Sequence, residues 1–130
     1  LVKANLPGHL IRIENLAGNG QPDVNGCHNT AEAWIELKVA KGNYLFFRTS
    51  QLAFFQKRHV EGGRVFVLAR VGDMIHVFPA AHLLQVLDQV EAVKGQEGKA
   101  CKIKWEIIPG VRVFGKPYKW DFIADIIYAL

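Results

Sequence analysis

Asp23, which follows Pro22, and the segment Glu36-Leu37-Lys38 thirteen residues on are the residues of this chain best suited to chemistry. Glu36 and Lys38 stand inside the apolar run Ala33-Trp34-Ile35-Glu36-Leu37-Lys38-Val39. In a strand, successive side chains point to opposite faces, so Glu36 and Lys38 share one face and Ile35, Leu37 and Val39 line the other. Charges are seldom buried without partners, so a carboxylate and an ammonium two residues apart in a half-buried strand need a reason. Asp23 and Glu36 suit a hard divalent cation, Mg2+ or Mn2+, with the backbone carbonyl of Leu37 as a further oxygen donor. Such an ion would neutralise the non-bridging oxygens of a phosphodiester and activate a water. Lys38 could orient or deprotonate that water, or stabilise the pentavalent phosphorane. The chemistry these types suit is metal-dependent phosphodiester hydrolysis. The bland alternatives are a turn aspartate after proline and an exposed edge-strand ion pair, the latter worth only ~0–1 kcal/mol.

The elements that must position these residues follow from pattern. His9 to Asn15 alternates as a strand, and Gly18-Asn19-Gly20-Gln21-Pro22 is turn chemistry. Asp23 to Gly26 opens a second strand, ended by Cys27-His28-Asn29-Thr30, and Ala33 to Ala40 is a third, stopped by Lys41-Gly42-Asn43. Thr49 or Ser50 can cap a helix over about residues 51–59, ended by Glu61-Gly62-Gly63. Arg64 to Arg70 reads as a buried strand, Met74 to Phe78 as another, and 81–92 has helical spacing. Lys94 to Lys99 is a loop, Lys102 to Ile108 an edge strand, and Trp120 to Leu130 a closing helix. The expected order is β-β-β-α-β-β-α-β-α, a mixed sheet with helices packed on it (α/β, or α+β with a mixed sheet) in one domain over residues 1–130.

With 130 residues, half of them hydrophobic and 22% charged, the chain can bury one core and is not a disordered segment. No apolar run approaches the roughly 20 residues of a membrane span, so no membrane partner is expected. The opening residues lack the apolar core of a signal peptide, which points to the cytoplasm. The chain opens on Leu1 rather than methionine, so upstream residues are expected. Cys27 and Cys101 lack metal-site spacing and read as free thiols. The net charge of +4 is unevenly placed: basic blocks at 38–70 and 99–119 flank a more acidic segment, which suits a polyanion-binding face. Lys41, Arg48, Lys57 and Arg58 are the candidate phosphate contacts. Trp34 could stack on a base or serve packing.

Pro22-Asp23 followed by Glu36-Leu37-Lys38 on the next strand resembles the signature of the PD-(D/E)XK nuclease superfamily. Gln51, at the start of a helix thirteen residues after Lys38, resembles the glutamine found there in VRR-NUC nucleases and RecB-type exonucleases. Gln51-Leu52-Ala53-Phe54-Phe55 is similar to the RecB-type QxxxY motif, with Phe55 in the tyrosine position. Gly62 to Leu68 looks like the strand that follows this helix in phage-type VRR-NUC proteins. The resemblance covers roughly residues 9–80. It implies a restriction-endonuclease-like core with flanking helices, with Asp23, Glu36, Lys38 and Gln51 as the catalytic set. Metal would be held by Asp23, Glu36 and the Leu37 carbonyl. The acidic residue that many members carry on an upstream helix is missing; Glu14 could take its place, or pair at the surface with Arg12 or Lys3.

The implied activity is a DNA endonuclease selective for branched DNA such as four-way (Holliday) junctions. It would act as a homodimer, whose two-fold symmetry matches that of the substrate, and phage-type relatives would act in the cytoplasm of a bacterial host. The other readings are a nuclease for linear duplex or single strands, and a non-catalytic nucleic-acid-binding module of the same fold.

Overall fold

The structure is a computed structural model that describes residues 2–14 and 20–129. Two antiparallel strands open it, β1 (His9–Arg12) and β2 (Val24–His28), after a short helix α1 (Val2–Asn5). β2 turns into β3 (Ala31–Val39) through Asn29-Thr30, both with positive φ (48° and 68°), as a two-residue hairpin loop demands. β3 pairs in parallel with β5 (Val65–Val71) on its other side. Parallel neighbours need a long crossover; here it is β4 (Tyr44–Arg48) and α2 (Thr49–Val60). β6 (Met74–Pro79) and β9 (Arg112–Phe114) complete a six-stranded mixed sheet, ordered β1-β2-β3-β5-β6-β9. A second sheet, β4-β8-β7, joins β4 to β8 (Ala100–Lys104) and β7 (Glu91–Ala92), and two further α-helices are α3 (Ala80–Leu84) and α4 (Trp120–Tyr128).

β5 is central, and Val65-Phe66-Val67-Leu68-Ala69 is buried throughout, the continuous apolar run of a strand covered on both faces. One face of the large sheet buries Ala31, Ala33, Ile35 and Val77 against Ile123 and Ile127 of α4. The other face buries Val67, Ala69 and Phe78 with Leu45, Phe47, Phe55 and Ile103 from the second sheet and α2. Arg64 donates to the carbonyls of Ile127 and Ala129, which would otherwise end α4 unpaired.

Several elements differ from the sequence expectations. β2 continues through Cys27 and His28, so the turn is Asn29-Thr30 alone. β4 was not expected. Its outward Tyr44 and Phe46 are as apolar as its inward Leu45 and Phe47, so no polar–apolar alternation marks it. The helix expected over 81–92 stops at Leu84, because residues beyond a 3-10 turn at Leu87–Gln89 pair with β8 instead. β8 is the middle strand of its sheet rather than an edge, and the chain leaves it at Trp105, whose indole donates to Gly42 (3.0 Å). α1 and β9 were also unread. The turn placed at Gly18-Asn19 and the end of the first strand at Asn15 lie outside the described residues.

Candidate active site

The first carboxylate sits where β2 begins. Pro22 is fully buried, and Asp23 follows it at a point where β2 no longer pairs with β3, since the ladder ends at Val24–Ile35. Asp23 Oδ2 accepts instead from the amide of Leu37 (2.8 Å), continuing the ladder with a side chain. A strand residue directs its amide and carbonyl to the same side. The Leu37 carbonyl is therefore turned to the edge where Asp23 stands.

The second carboxylate is almost fully enclosed, at 2% exposure. Glu36 and Lys38 do share a face of β3, as expected, but that face is the interior under α2 and β4, in the middle of the sheet, not an exposed edge. Gln51 joins them. As the third residue of α2 it reaches back to the Arg48 amide (Oε1, 2.9 Å), which satisfies one of the helix's unpaired donors. The same oxygen accepts from Lys38 Nζ (3.0 Å), and Gln51 Nε2 donates to Glu36 Oε2 (3.0 Å). Lys38 Nζ also lies 3.3 Å from Glu36 Oε2 and 4.8 Å from the centroid of the Phe47 ring. The Thr49 or Ser50 cap expected for this helix is replaced by Arg48 as the N-cap residue.

Burial raises the Glu36 carboxyl to about 7; the Lys38 ammonium pulls against that shift, and the neighbouring Asp23 carboxylate adds to it. Glu36 Oε1 is buried and has no hydrogen-bond partner. A buried, unsatisfied oxygen beside a second carboxylate is costly as it stands, and its cost vanishes if a cation binds there. The donor set of two carboxylates and a backbone carbonyl is hard oxygen throughout and fits Mg2+ or Mn2+, ions that keep several waters. Among the described residues, no group of three His, Cys, Asp or Glu side chains is close enough to share a metal, and Glu14 is exposed.

Gly20 ties the approach to Asp23 onto α2. It holds φ +80°, and a Cβ there would lie 2.0 Å from the carbonyl oxygen of Ser50, so only glycine fits. The carboxylate-bearing and glutamine-bearing segments are thereby fixed to each other.

The expected phosphate contacts are more scattered. Lys57 and Arg58 follow Gln51 by six and seven residues, roughly 9–10 Å further along α2. The Arg58 guanidinium is stacked 5.2 Å from the Trp34 ring and 5.0 Å from the Phe54 ring, so Trp34 has a packing partner. Lys41 and Arg48 are exposed at opposite ends of β4. A cleft of about 410 Å3 beside Asp23 and Leu37 is instead lined by Lys3 and Arg12, which were not singled out as phosphate contacts. The register of the fold, rather than any local sequence pattern, sets Arg12 opposite Val24, the residue after Asp23.

No protein-family model and no curated protein sequence matches the chain. Among solved structures it is similar to Hjc, a Holliday junction resolvase from the archaeal hyperthermophile Archaeoglobus fulgidus, at 19% identity and a TM-score of 0.50. The match covers 79% of this chain and 75% of that one. With the central mixed sheet, it defines the class: a mixed α/β, restriction-endonuclease-like fold, as expected from the sequence. Among the described residues no helix is long and apolar enough to cross a membrane.

Proposed function

We propose that this chain is a divalent-metal-dependent DNA endonuclease of the PD-(D/E)XK superfamily, one domain over residues 1–130, with Asp23, Glu36, Lys38 and Gln51 as its working set. The observation that carries this reading is the buried, partnerless Glu36 Oε1 beside Asp23. A cation held between the two carboxylates would satisfy it. The similarity to a Holliday junction resolvase supports branched DNA as the substrate. A homodimer presenting two sites to a two-fold junction agrees with that, and a phage-type VRR-NUC relationship would put the enzyme in the cytoplasm of a bacterial host.

Asp23, Glu36 and the Leu37 carbonyl would hold Mg2+ or Mn2+, which when bound supplies charge neutralisation and a more acidic water. Gln51 pins Glu36 Oε2 and Lys38 Nζ together, leaving Oε1 as the free donor. Lys38 Nζ lies against Glu36 Oε2, where it can stabilise the phosphorane or orient the attacking water. Lys3 and Arg12 supply the cleft with charges for the flanking phosphates.

Cleavage of a labelled four-way junction, a linear duplex and single strands with Mg2+, Mn2+ or EDTA tests the reading. Paired symmetric nicks in the junction alone, abolished by EDTA, are expected. Equal cutting of the duplex would remove the branch selectivity. Binding without cutting under either metal would leave a non-catalytic binding module.

A further inference from the structure

The second sheet has a face that the cutting chemistry does not use. Tyr44 and Phe46 alternate with the buried Leu45 and Phe47 along β4, so both rings are turned away from the core. The register sets Lys104 opposite Tyr44 and Lys102 opposite Phe46 on the same face. Lys102 Nζ lies 4.6 Å from the centroid of the Tyr44 ring and Lys41 Nζ 5.6 Å from that of Phe46, and the two rings are 6.4 Å apart. Arg48 extends the row toward α2. Glu91, opposite Lys102 on β7, is the one acid that the register brings to this face among the described residues.

Two outward aromatics interleaved with cations are not what the sheet needs for stability, since its inner face already buries Leu45, Phe47, Cys101 and Ile103. They are what an unpaired nucleic-acid strand needs. Both rings are half-buried; a base can stack on the part of each ring left to solvent, and an ammonium beside the ring meets the adjoining phosphate. The strand that carries this face leads into the candidate site, because β4 runs directly into α2 and the Arg48 amide is bonded to Gln51.

We propose that the outer face of β4 and β8, centred on Tyr44, Phe46 and Lys102, is a stacking platform for an unpaired DNA strand that leads to or from the candidate site. The inference rests on the proposed function only in taking DNA as the partner.

Anisotropy of a labelled oligonucleotide of about fifteen thymidines, and of a duplex of equal length, measured in EDTA with the full chain, tests it. Tyr44→Ala with Phe46→Ala is expected to weaken single-strand binding about tenfold or more, with duplex binding changed less than about twofold. Phe46→Tyr should bind as wild type. Phe46→Trp should gain an emission that the oligonucleotide quenches, a signature that loosening of the sheet would not produce. Equal loss on duplex and single strand, no loss on either, or an unquenched Phe46→Trp overturns the platform. So does light scattering in which a wild-type dimer becomes a monomer on Phe46→Ala, which would give the face to a second copy of the chain. Because EDTA removes cleavage from this measurement, a wild type that never cuts but binds through these rings would sink the nuclease and leave the platform standing.

Discussion

The two faces of β3 were built to different ends. On one, Ala31, Ala33 and Ile35 vanish into a hydrophobic core sealed by α4. On the other, Glu36 is as deeply enclosed yet carries a carboxylate with one oxygen unsatisfied, tied to Gln51 and Lys38. A buried ion pair seldom adds net stability, and an unsatisfied oxygen subtracts from it. A strand that spends apolar burial on one face and tolerates polar cost on the other separates the work of holding the fold from the work of the site.

Paired substitutions across β3 would break that separation if it is wrong. Glu36→Ala should lower cleavage by about a thousandfold, in the range seen when one charge-stabilising group is removed, while DNA binding is largely kept. Ile35→Ala, one residue away, should instead cost about 2–5 kcal/mol of stability in a denaturant melt, with cleavage by the surviving folded fraction close to wild type. Near-wild-type cutting by Glu36→Ala would sink the site. Cleavage loss by Ile35→Ala beyond its unfolded fraction would show the faces to be coupled.

Acidity sharpens the contrast further. Folding raises the Glu36 carboxyl from 4.5 to about 7, so the metal-free folded state binds the extra proton. Its contribution is therefore fully present below pH 4.5 and is lost as pH rises through about 7, a swing of about 3 kcal/mol for this group. Urea melts in EDTA at pH 5 and pH 8 should show the metal-free protein less stable at pH 8, with the difference shrinking in Glu36→Gln. Stabilisation by added Mg2+ should run the other way and grow from pH 5 to pH 8, since binding must displace the proton. A metal-free stability that rises over this interval in the wild type but not in Glu36→Gln would contradict the buried, proton-binding carboxyl.

Much of this division was legible in the residues. Charges at Glu36 and Lys38 within an apolar run marked β3 as a strand with one unusual face, and the cap signal at Thr49-Ser50 anticipated a helix beginning near Gln51. β5 was legible because a strand buried on both sides writes an unbroken apolar run. What stayed hidden was set by partners distant in sequence. The span 81–92 has helical spacing, but β8 takes its end as a strand. Tyr44 to Phe47 is apolar at every position, so it reads as neither strand nor helix until its two sides are known. The depth of Glu36 was hidden for the same reason. It depends on α2 and β4 closing over β3, and local pattern carries no record of that.

Gln51 offers the finest cut between the two faces, since it belongs to both kinds of work. Its Oε1 caps α2 through the Arg48 amide, a structural duty, and the same oxygen holds Lys38 while Nε2 holds Glu36. Gln51→Ala should reduce cleavage by about 10–100-fold, the usual cost of losing a group that orients ligands rather than one that binds them. It should also lower stability by about 1 kcal/mol through the lost cap. Gln51→Glu separates the duties. A carboxylate can still accept from the Arg48 amide and from Lys38, but as an anion it cannot donate to Glu36 and would crowd a third negative charge onto the site. The cap should survive in the melt while cleavage falls at least as far as in Gln51→Ala. If Gln51→Glu cuts like wild type, the amide's bond to Glu36 is idle, and the polar face of β3 is held by Lys38 alone.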